Sequence, residues 1–192
     1  MRLKEMLVGL EGLKVKGDLE LDIKGIESNS KVVKKEYLFI AIKGFDVDGH
    51  QYIGDAIKKG ATAVMVEEGC NLKALAIPEG ITIVMAKNTR EALAVCSSNF
   101  YDNPSRKFKL IGVTGTKGKT TTTFMIKEIL EKAGKKVGLI GTIATYRNGK
   151  KVKESDRTTP ESLELQREFA RNGRSWRRSS CDGSIFTKLK IT

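Results

Sequence analysis

The segment Ile111-Gly112-Val113-Thr114-Gly115-Thr116-Lys117-Gly118-Lys119-Thr120 decides how the second half of this chain folds. Its apolar start predicts the end of a buried strand, and its glycines predict a turn that opens a helix. Glycines let backbone N–H groups curl around a phosphate, and the N-terminus of a helix adds partial positive charge. The segment therefore predicts a phosphate-binding loop.

Two residues of this loop predict its chemistry. Lys119 is expected to bridge the β- and γ-phosphates of ATP, and the Thr120 hydroxyl is expected to bind Mg²⁺. The usual pattern places a glycine five positions before Gly118, where this chain has Val113. A Gly-Lys-Thr match alone is weak evidence, but the flanking strand and helix are the context that the motif requires. A purely structural glycine turn remains the alternative.

The residues around the loop extend the pattern into a strand–helix–strand unit. Phe108–Val113 predicts the first strand and Val137–Ile140 the next one, so a parallel sheet is expected. Between them, apolar residues share one face of a helix that Gly134 closes. These residues are Ile126, Ile129, Leu130 and Ala133.

The first part of the chain predicts a smaller α/β unit. A helix is expected near the N-terminus and a second one from Tyr52 to Gly60, with Asn88 as the N-cap of a third and Glu91 as its capping-box partner. Strands are expected where apolar residues alternate or run together. The expected strands are 19–23, 37–42, 63–66 and 81–85. We expect residues 1–87 to form a first domain and residues 88–170 to begin a second, and Asp102–Ser105 breaks the intervening helix at a natural junction before the second unit.

Composition excludes several classes of protein. The net charge of +12 is concentrated in part at residues 171–192, which hold six basic residues against one acid, so we read most of it as solvated surface. With 6% aromatic residues and no stacking platform, nucleic-acid binding is not expected. No apolar run approaches the roughly 20 residues that span a bilayer, and no signal peptide is evident. We expect a cytoplasmic monomer that does not bind a membrane.

A zinc site is not expected either. The three cysteines, Cys70, Cys96 and Cys181, are far apart and form no CxxC pair. The single histidine, His50, follows Asp48-Gly49 and is interpreted as structural. The cysteines are interpreted as buried or idle thiols.

The run Gly112–Thr123, with Val113 in place of the first glycine, closely resembles the phosphate loop of the Mur ligase family of ATP-dependent amide-forming enzymes. The family commonly has Asn where this chain has Lys117. The resemblance implies binding of ATP and Mg²⁺, with Lys119 as the catalytic residue and Thr120 at the metal. The implied ATP-binding residues are Gly115, Thr116, Lys117, Gly118, Lys119, Thr120 and Thr121.

The first unit is similar to the UDP-sugar-binding domain of the branch of this family that makes the peptidoglycan tripeptide. The similarity rests on Ser28–Val32, Tyr37–Gly44 and Asp48-Gly49-His50. It implies that Ser30 contacts a UDP-muramoyl substrate, although the family usually has Asp-Ser-Arg where this chain has Asn29-Ser30-Lys31. From the residues alone, Ser30 is an ordinary loop serine.

Thr158-Thr159-Pro160-Glu161 resembles the substrate-binding threonine pair of the family. The resemblance implies that Thr158 and Thr159 bind the substrate. The same two threonines are also suited to cap a helix over 160–170, and the two interpretations are compatible.

The resemblance implies a reaction as well as a fold. The fold is α/β: a small N-terminal unit for the UDP-linked substrate, followed by the start of a parallel-sheet ATPase domain. ATP would phosphorylate the D-glutamate carboxylate of UDP-N-acetylmuramoyl-L-alanyl-D-glutamate. A diamino acid, meso-diaminopimelate or L-lysine, would then displace the phosphate in peptidoglycan biosynthesis. The alternatives are a non-catalytic nucleotide- or UDP-sugar-binding module, and a cyanophycin- or folate-polyglutamate-forming ligase.

The tail from residue 171 to 192 departs from the family pattern. The family places a buried strand here that ends in Met-Glu-Val-Ser-Ser, whose glutamate helps to hold Mg²⁺, whereas this tail predicts no strand. The resemblance implies that a 192-residue product lacks that glutamate, the family's modified lysine and the domain that receives the amino acid. We therefore expect this chain alone to fold poorly and to be inactive as a ligase.

A shifted reading frame is our hypothesis for this tail. Codons can be chosen for Asn172–Ile191 that, read one nucleotide later, spell a stop-free run containing Met-Glu-Val-Ser-Ser. Sequencing the genomic DNA tests the hypothesis directly, and we expect that run in the next frame. Codons that do not encode it would rule the frameshift out.

Overall fold

The computed structural model describes residues 1–44, 47–72, 75–141, 143–154, 160–177 and 183–188. The chain divides into two compact units, Met1–Asp102 and Asn103–Thr192. Asp102 and Asn103 both have a left-handed backbone, with φ of 59° and 46°, which breaks the preceding helix. Each unit has its own sheet.

The first unit is built on a five-stranded sheet in the order β1-β5-β4-β3-β2. The four strands β2 to β5 run parallel, and β1 is antiparallel to β5 at the edge. The strands are β1 (Lys14–Lys16), β2 (Gly25–Glu27), β3 (Tyr37–Ile40), β4 (Ala61–Glu67) and β5 (Thr82–Ala86).

Three helices accompany this sheet: α1 (Leu3–Met6), α2 (Ile53–Lys58) and α3 (Thr89–Phe100). Short 3₁₀ turns lie at Ser30–Val32 and Gly49–Tyr52. The central strands β3 and β4 are largely buried on both faces, as parallel strands usually are, and their largest fully buried side chains are Phe39 and Met65. The core of the unit therefore lies around these two strands.

The N-cap predicted at Asn88 is confirmed, but Glu91 bonds to the Asn88 side chain and not to its backbone N–H as in a capping box. The Asn88 side-chain oxygen accepts from the backbone N–H groups of Arg90 and Glu91, and its amide donates to the Glu91 carboxylate at 2.9 Å. Helix α3 packs against α1, β2 and β4, which belong to the first unit. The domain boundary that we predicted after residue 87 therefore moves to Asp102.

The strand predicted over residues 19–23 is wrong. The carbonyls of Leu19 and Leu21 accept from the backbone N–H groups of Lys4 and Leu3, so this segment bonds to the start of α1. Its one bridge of the strand type joins Arg2 and Asp22. The segment bonds to the backbone of α1 and is not part of the sheet, so its alternating pattern does not indicate a sheet strand.

The second unit holds a mixed sheet in the order β6-β10-β7-β8-β9. Strands β6, β10 and β7 run parallel, and β8 and β9 form an antiparallel extension. The elements are β6 (Lys109–Val113), α4 (Lys119–Lys132), β7 (Lys136–Ile140), β8 (Ala144–Arg147), β9 (Lys150–Glu154), α5 (Ser162–Arg177) and β10 (Gly183–Lys188), with a 3₁₀ turn at Pro104–Lys107.

The apolar face predicted for α4 is only partly confirmed. Phe124, Ile126 and Leu130 pack on Val137 and Leu139 of β7. Ile129, which we placed on the same face, is 66% exposed. The face that contacts the sheet is rotated toward Phe124, so Ile129 points to solvent.

The prediction that no strand follows residue 171 is also wrong. Helix α5 continues to Arg177, and β10 lies in the slot between β6 and β7, with Ile185 opposite both Leu110 and Gly138. A ladder is made by backbone N–H and C=O groups, which every residue except proline supplies in full. The slot therefore accepts a strand whose side chains differ from those of the family.

Asn172, which we assigned to the aberrant tail, is fully buried in the second unit. Its side-chain oxygen accepts from Arg147 Nε at 3.1 Å, and its amide donates to the Glu168 carbonyl at 2.9 Å. Arg147 also donates to the Glu168 carboxylate at 3.0 Å. This network joins α5 to β8.

Replacing Asn172 with Ala is expected to destabilise the second unit by about 1–3 kcal/mol, because Arg147 Nε loses its buried acceptor. Denaturant unfolding of the 192-residue chain measures this loss. Arg171→Ala is the matched control: its ion pair with Glu168 is more than half exposed on the Arg171 side, so a change below about 0.5 kcal/mol is expected. Equal effects of the two variants would contradict the network.

Candidate functional site

The predicted phosphate loop lies between the end of β6 at Val113 and the start of α4 at Lys119. Gly118 is the N-cap of α4 with φ of 77°, and Gly115 has φ of 146°. A Cβ at Gly118 would meet open space, so the left-handed backbone is what requires glycine there. The Gly118 carbonyl accepts from the Thr122 N–H at 2.9 Å, which begins the helix.

Lys119 closes over this loop. Its ammonium donates to the Gly115 carbonyl and, at 3.2 Å, to the Thr116 carbonyl. The charge thus lies within reach of the loop backbone and of the first turn of a 14-residue helix. A helix N-terminus with a cation beside it is suited to a phosphate group.

The other predicted residues of the loop differ in their surroundings. Lys117 and Thr121 are exposed, and Thr120 is half-buried in the first turn of α4. The Thr120 carbonyl accepts from the Thr123 hydroxyl at 2.8 Å, and Thr120 follows Lys119 at the start of the helix. Thr158 and Thr159 lie outside the described residues.

The first unit carries a separate cleft of about 380 Å³. Its walls are Ile42–Gly44 after β3, Glu67 at the end of β4, and Asn88–Arg90 at the start of α3. These segments all follow the carboxyl ends of parallel strands, where ligands bind in open α/β sheets. Lys43, Glu67 and Arg90 were not among the sequence-based candidates. For Lys43 and Glu67 the available signal was their position directly after a predicted strand, whereas Arg90 had no such signal.

Two cations and a helix N-terminus meet in this cleft. Arg90 Nη2 donates to the Lys43 carbonyl at 3.3 Å, which holds the guanidinium near the Lys43 segment. Asn88 caps the helix, and α3 directs its positive end toward the cleft. The arrangement is suited to an anion such as a phosphate.

Ser30 lies at the same edge of the first sheet but does not line the cleft. It begins the 3₁₀ turn that follows β2 and is 8% exposed. Asn29 opens this turn, since its side-chain oxygen accepts from the Lys31 N–H at 2.9 Å. Strand β2 pairs in parallel with β3, so the Ser30 turn and the Ile42–Gly44 segment leave the sheet on the same side.

His50 and the cysteines are structural in the described part of the chain. His50 is 7% exposed and bonds to Asp48 and to the backbone of Glu67. Burial raises the pKa of the Cys96 thiol to about 12, so it is not a nucleophile at neutral pH. Cys181 lies outside the described residues. Among the described residues, no group of three or more His, Cys, Asp or Glu side chains is arranged to hold a metal ion.

A pH-dependent contribution is expected from Asp48. Its pKa is lowered mainly because its carboxylate accepts from the His50 backbone N–H, and also because it contacts the imidazole. A lowered folded-state pKa stabilises the fold above the ordinary value of 3.8, and this contribution is lost as the pH falls through the folded-state pKa. Asp48→Asn should therefore lower the unfolding free energy at about pH 6 and matter less at about pH 3. Chemical unfolding across this range measures it; a difference that does not change with pH would contradict the assignment.

Comparisons with known proteins match parts of both units. The family model described as "Mur ligase family, catalytic domain" matches residues 22–106, and "Mur ligase middle domain" matches residues 113–178. A UDP-N-acetylmuramoyl-L-alanyl-D-glutamate–2,6-diaminopimelate ligase from Clostridium tetani is 50% identical over 169 residues, which are 88% of this chain and 34% of the relative. The chain thus spans about a third of the length of that relative.

Solved structures share the fold. The structure of another UDP-N-acetylmuramoyl-L-alanyl-D-glutamate–2,6-diaminopimelate ligase aligns with a TM-score of 0.69 at 16% identity, covering 99% of this chain and 36% of that one. A MurF ligase from Thermotoga maritima, solved in complex with ADP, aligns with a TM-score of 0.53 at 22% identity over 85% of this chain and 31% of that one.

Proposed function

This chain belongs to the Mur ligase family, and we propose that the whole protein is an ATP-dependent ligase of peptidoglycan biosynthesis. It adds a diamino acid to UDP-N-acetylmuramoyl-L-alanyl-D-glutamate. The two family models together match more than half of the chain, and the named activity of the Clostridium tetani relative supports this substrate. That name favours 2,6-diaminopimelate over L-lysine as the added amino acid.

The observation that carries this proposal is Lys119 lying over the glycine loop at the N-terminus of α4. A carboxylate is a poor electrophile, and phosphorylation by ATP supplies it with a leaving group. Lys119 is placed to offset negative charge on the phosphoryl group in transfer. Its present bonds to two loop carbonyls are replaced by bonds to phosphate oxygens when the nucleotide binds.

Mg²⁺ fits this loop through a single protein group. The Thr120 hydroxyl is the candidate ligand, and Mg²⁺ commonly takes its other ligands from water, carboxylates and substrate phosphates. When bound, the ion neutralises charge on the nucleotide phosphates. The remaining predicted loop residues, from Gly115 to Thr121, contact the phosphates through their backbone N–H groups.

The cleft in the first unit is the proposed site of the UDP-linked substrate. Lys43, Arg90 and the N-terminus of α3 provide positive charge for a diphosphate. Ser30, at the same edge of the sheet, is proposed as a further contact, and so are Thr158 and Thr159. ATP and the UDP-linked substrate are both water-soluble, so we place the reaction in the cytoplasm. We also propose that the protein acts as a monomer.

Membrane and nucleic-acid partners are not part of this proposal. Within the described residues, every helix is too short or too polar to cross a membrane. The substrate itself explains the positive charge at the cleft and the loop, which bind phosphate groups in this account.

Lys119→Ala is expected to weaken binding of a non-hydrolysable ATP analogue to the 192-residue chain by about 10- to 100-fold, the effect of losing charge-assisted hydrogen bonds. Isothermal calorimetry measures this affinity in the presence of Mg²⁺. Lys117→Ala is the matched control, since it removes an exposed cation from the same loop and should cost about threefold or less.

A second titration separates the two sites. Lys119→Ala should leave the affinity for UDP-N-acetylmuramoyl-L-alanyl-D-glutamate unchanged, whereas Arg90→Ala should weaken that affinity and leave ATP binding unchanged. A wild-type chain that is folded by circular dichroism and binds neither ligand would contradict the proposed function, and so would a Lys117 variant whose ATP affinity falls as far as that of the Lys119 variant. Binding of both ligands without any turnover in the full-length protein would favour the non-catalytic module instead.

A further inference from the structure

The Asp48-Gly49-His50 sequence carries a local structure that the proposed chemistry does not use. It follows a turn that starts at Ile42–Gly44, the segment that forms one wall of the cleft. Lys43 and Asp48 form an antiparallel bridge across this turn. The Gly44 N–H donates to the Val47 carbonyl and the Gly49 N–H donates to the Ile42 carbonyl, each at 2.9 Å.

Gly49 allows the two ends of the turn to meet. A Cβ at this position would lie 2.6 Å from the Ile42 carbonyl oxygen and 2.9 Å from the Ile42 nitrogen. Both are backbone atoms, which cannot move aside as a flexible side chain does. The glycine is therefore required by the close approach of two backbone segments.

His50 has a defined partner at each ring nitrogen. Nδ1 lies 2.5 Å from Asp48 Oδ1, which also accepts from the His50 backbone N–H at 3.0 Å. Nε2 lies 3.0 Å from the backbone nitrogen of Glu67. A backbone N–H only donates, so Nε2 is the acceptor and the ring proton is on Nδ1. The imidazole is thus neutral and in the Nδ1–H tautomer.

The Glu67 N–H marks the point where β3 leaves β4. The Ala41 N–H donates to the Met65 carbonyl at 2.9 Å, so the two strands are still paired there. Two residues further along β4, the Glu67 N–H donates to the His50 imidazole and not to a carbonyl of β3. Glu67 forms a second wall of the cleft. One buried side chain therefore connects the Lys43 turn, through Asp48, to the end of β4.

We propose that His50 is a positioning residue: as a neutral Nδ1–H imidazole it ties the bridged pair Lys43 and Asp48 to Glu67 and so fixes two walls of the cleft. The part of this proposal that concerns ligand affinity rests on the proposed function of the cleft. The part that concerns the tautomer and its two hydrogen bonds does not. The charged group in contact with the ring is the Asp48 carboxylate, whose pKa is lowered in part by the charge of Lys43.

The tautomer is tested by NMR on the wild-type chain labelled with ¹⁵N. His50 is the only histidine of the sequence, so the ring signals need no assignment. At neutral pH we expect a protonated Nδ1, an unprotonated Nε2, and a scalar coupling across the hydrogen bond from the Glu67 amide to Nε2. An Nε2–H tautomer, or the absence of that coupling in the folded chain, would overturn the proposal.

Affinity tests the positioning role with a pair of variants. Gln at position 50 keeps an acceptor at the place of Nε2, whereas Phe keeps the ring volume and has no acceptor. We expect His50→Phe to weaken binding of UDP-N-acetylmuramoyl-L-alanyl-D-glutamate about tenfold, which corresponds to 1.4 kcal/mol, and His50→Gln to recover most of that loss. Equal loss in both variants, or no loss in either, would overturn the positioning role.

A control separates positioning from general loss of stability. Leu3→Ala removes a fully buried side chain from α1, which does not line the cleft, and should lower the melting temperature without changing the affinity of the folded chain. If the wild-type chain does not bind the ligand at all, the proposed function of the cleft fails, while the tautomer and the Glu67 coupling still decide whether His50 holds the turn.

Discussion

Parallel strand pairing is the constraint on which both halves of this structure depend. Parallel strands all end at the same edge of a sheet, and the segments that leave this edge lead into helices or turns whose N–H groups face outward. In the first unit this edge gathers Ile42–Gly44, Glu67 and the start of α3. In the second unit the same direction of β6 leads into the glycine loop and the start of α4. The partly positive N-termini of α3 and α4 therefore lie where each unit would bind a phosphate.

The two sites hold their charges in different ways. In the loop, the Lys119 ammonium donates to two backbone carbonyls. A bound phosphate can replace these carbonyls as its hydrogen-bond acceptor. In the cleft, Arg90 is anchored to the Lys43 carbonyl, and the wall beside it is held by Gly49 and His50. A loop that encloses the transferred phosphoryl group needs adjustable contacts, whereas a recognition cleft gains affinity from walls that are already in place.

The sequence predicted well those features that depend on local chemistry. The Asn88 cap needs only a short polar side chain before a helix, and the glycine loop needs only residues that tolerate a left-handed backbone. Features that depend on partners distant in sequence were not predictable in the same way. The 19–23 segment alternates like a strand but bonds to α1, and Ile129 has helical spacing but faces solvent. Strand β10 occupies its slot through backbone pairing, which leaves little trace in the side-chain pattern. Arg90 became a candidate only when the fold brought it next to Lys43.

Amide chemical-shift mapping tests the central claim, that one edge of each sheet carries one phosphate-binding site. ADP with Mg²⁺, and separately UDP, are titrated into the ¹⁵N-labelled 192-residue chain. We expect ADP to shift the amides of residues 114–121 and UDP to shift those of residues 42–44, 67 and 88–90. Shifts from ADP confined to the first unit, or from UDP confined to the glycine loop, would contradict it.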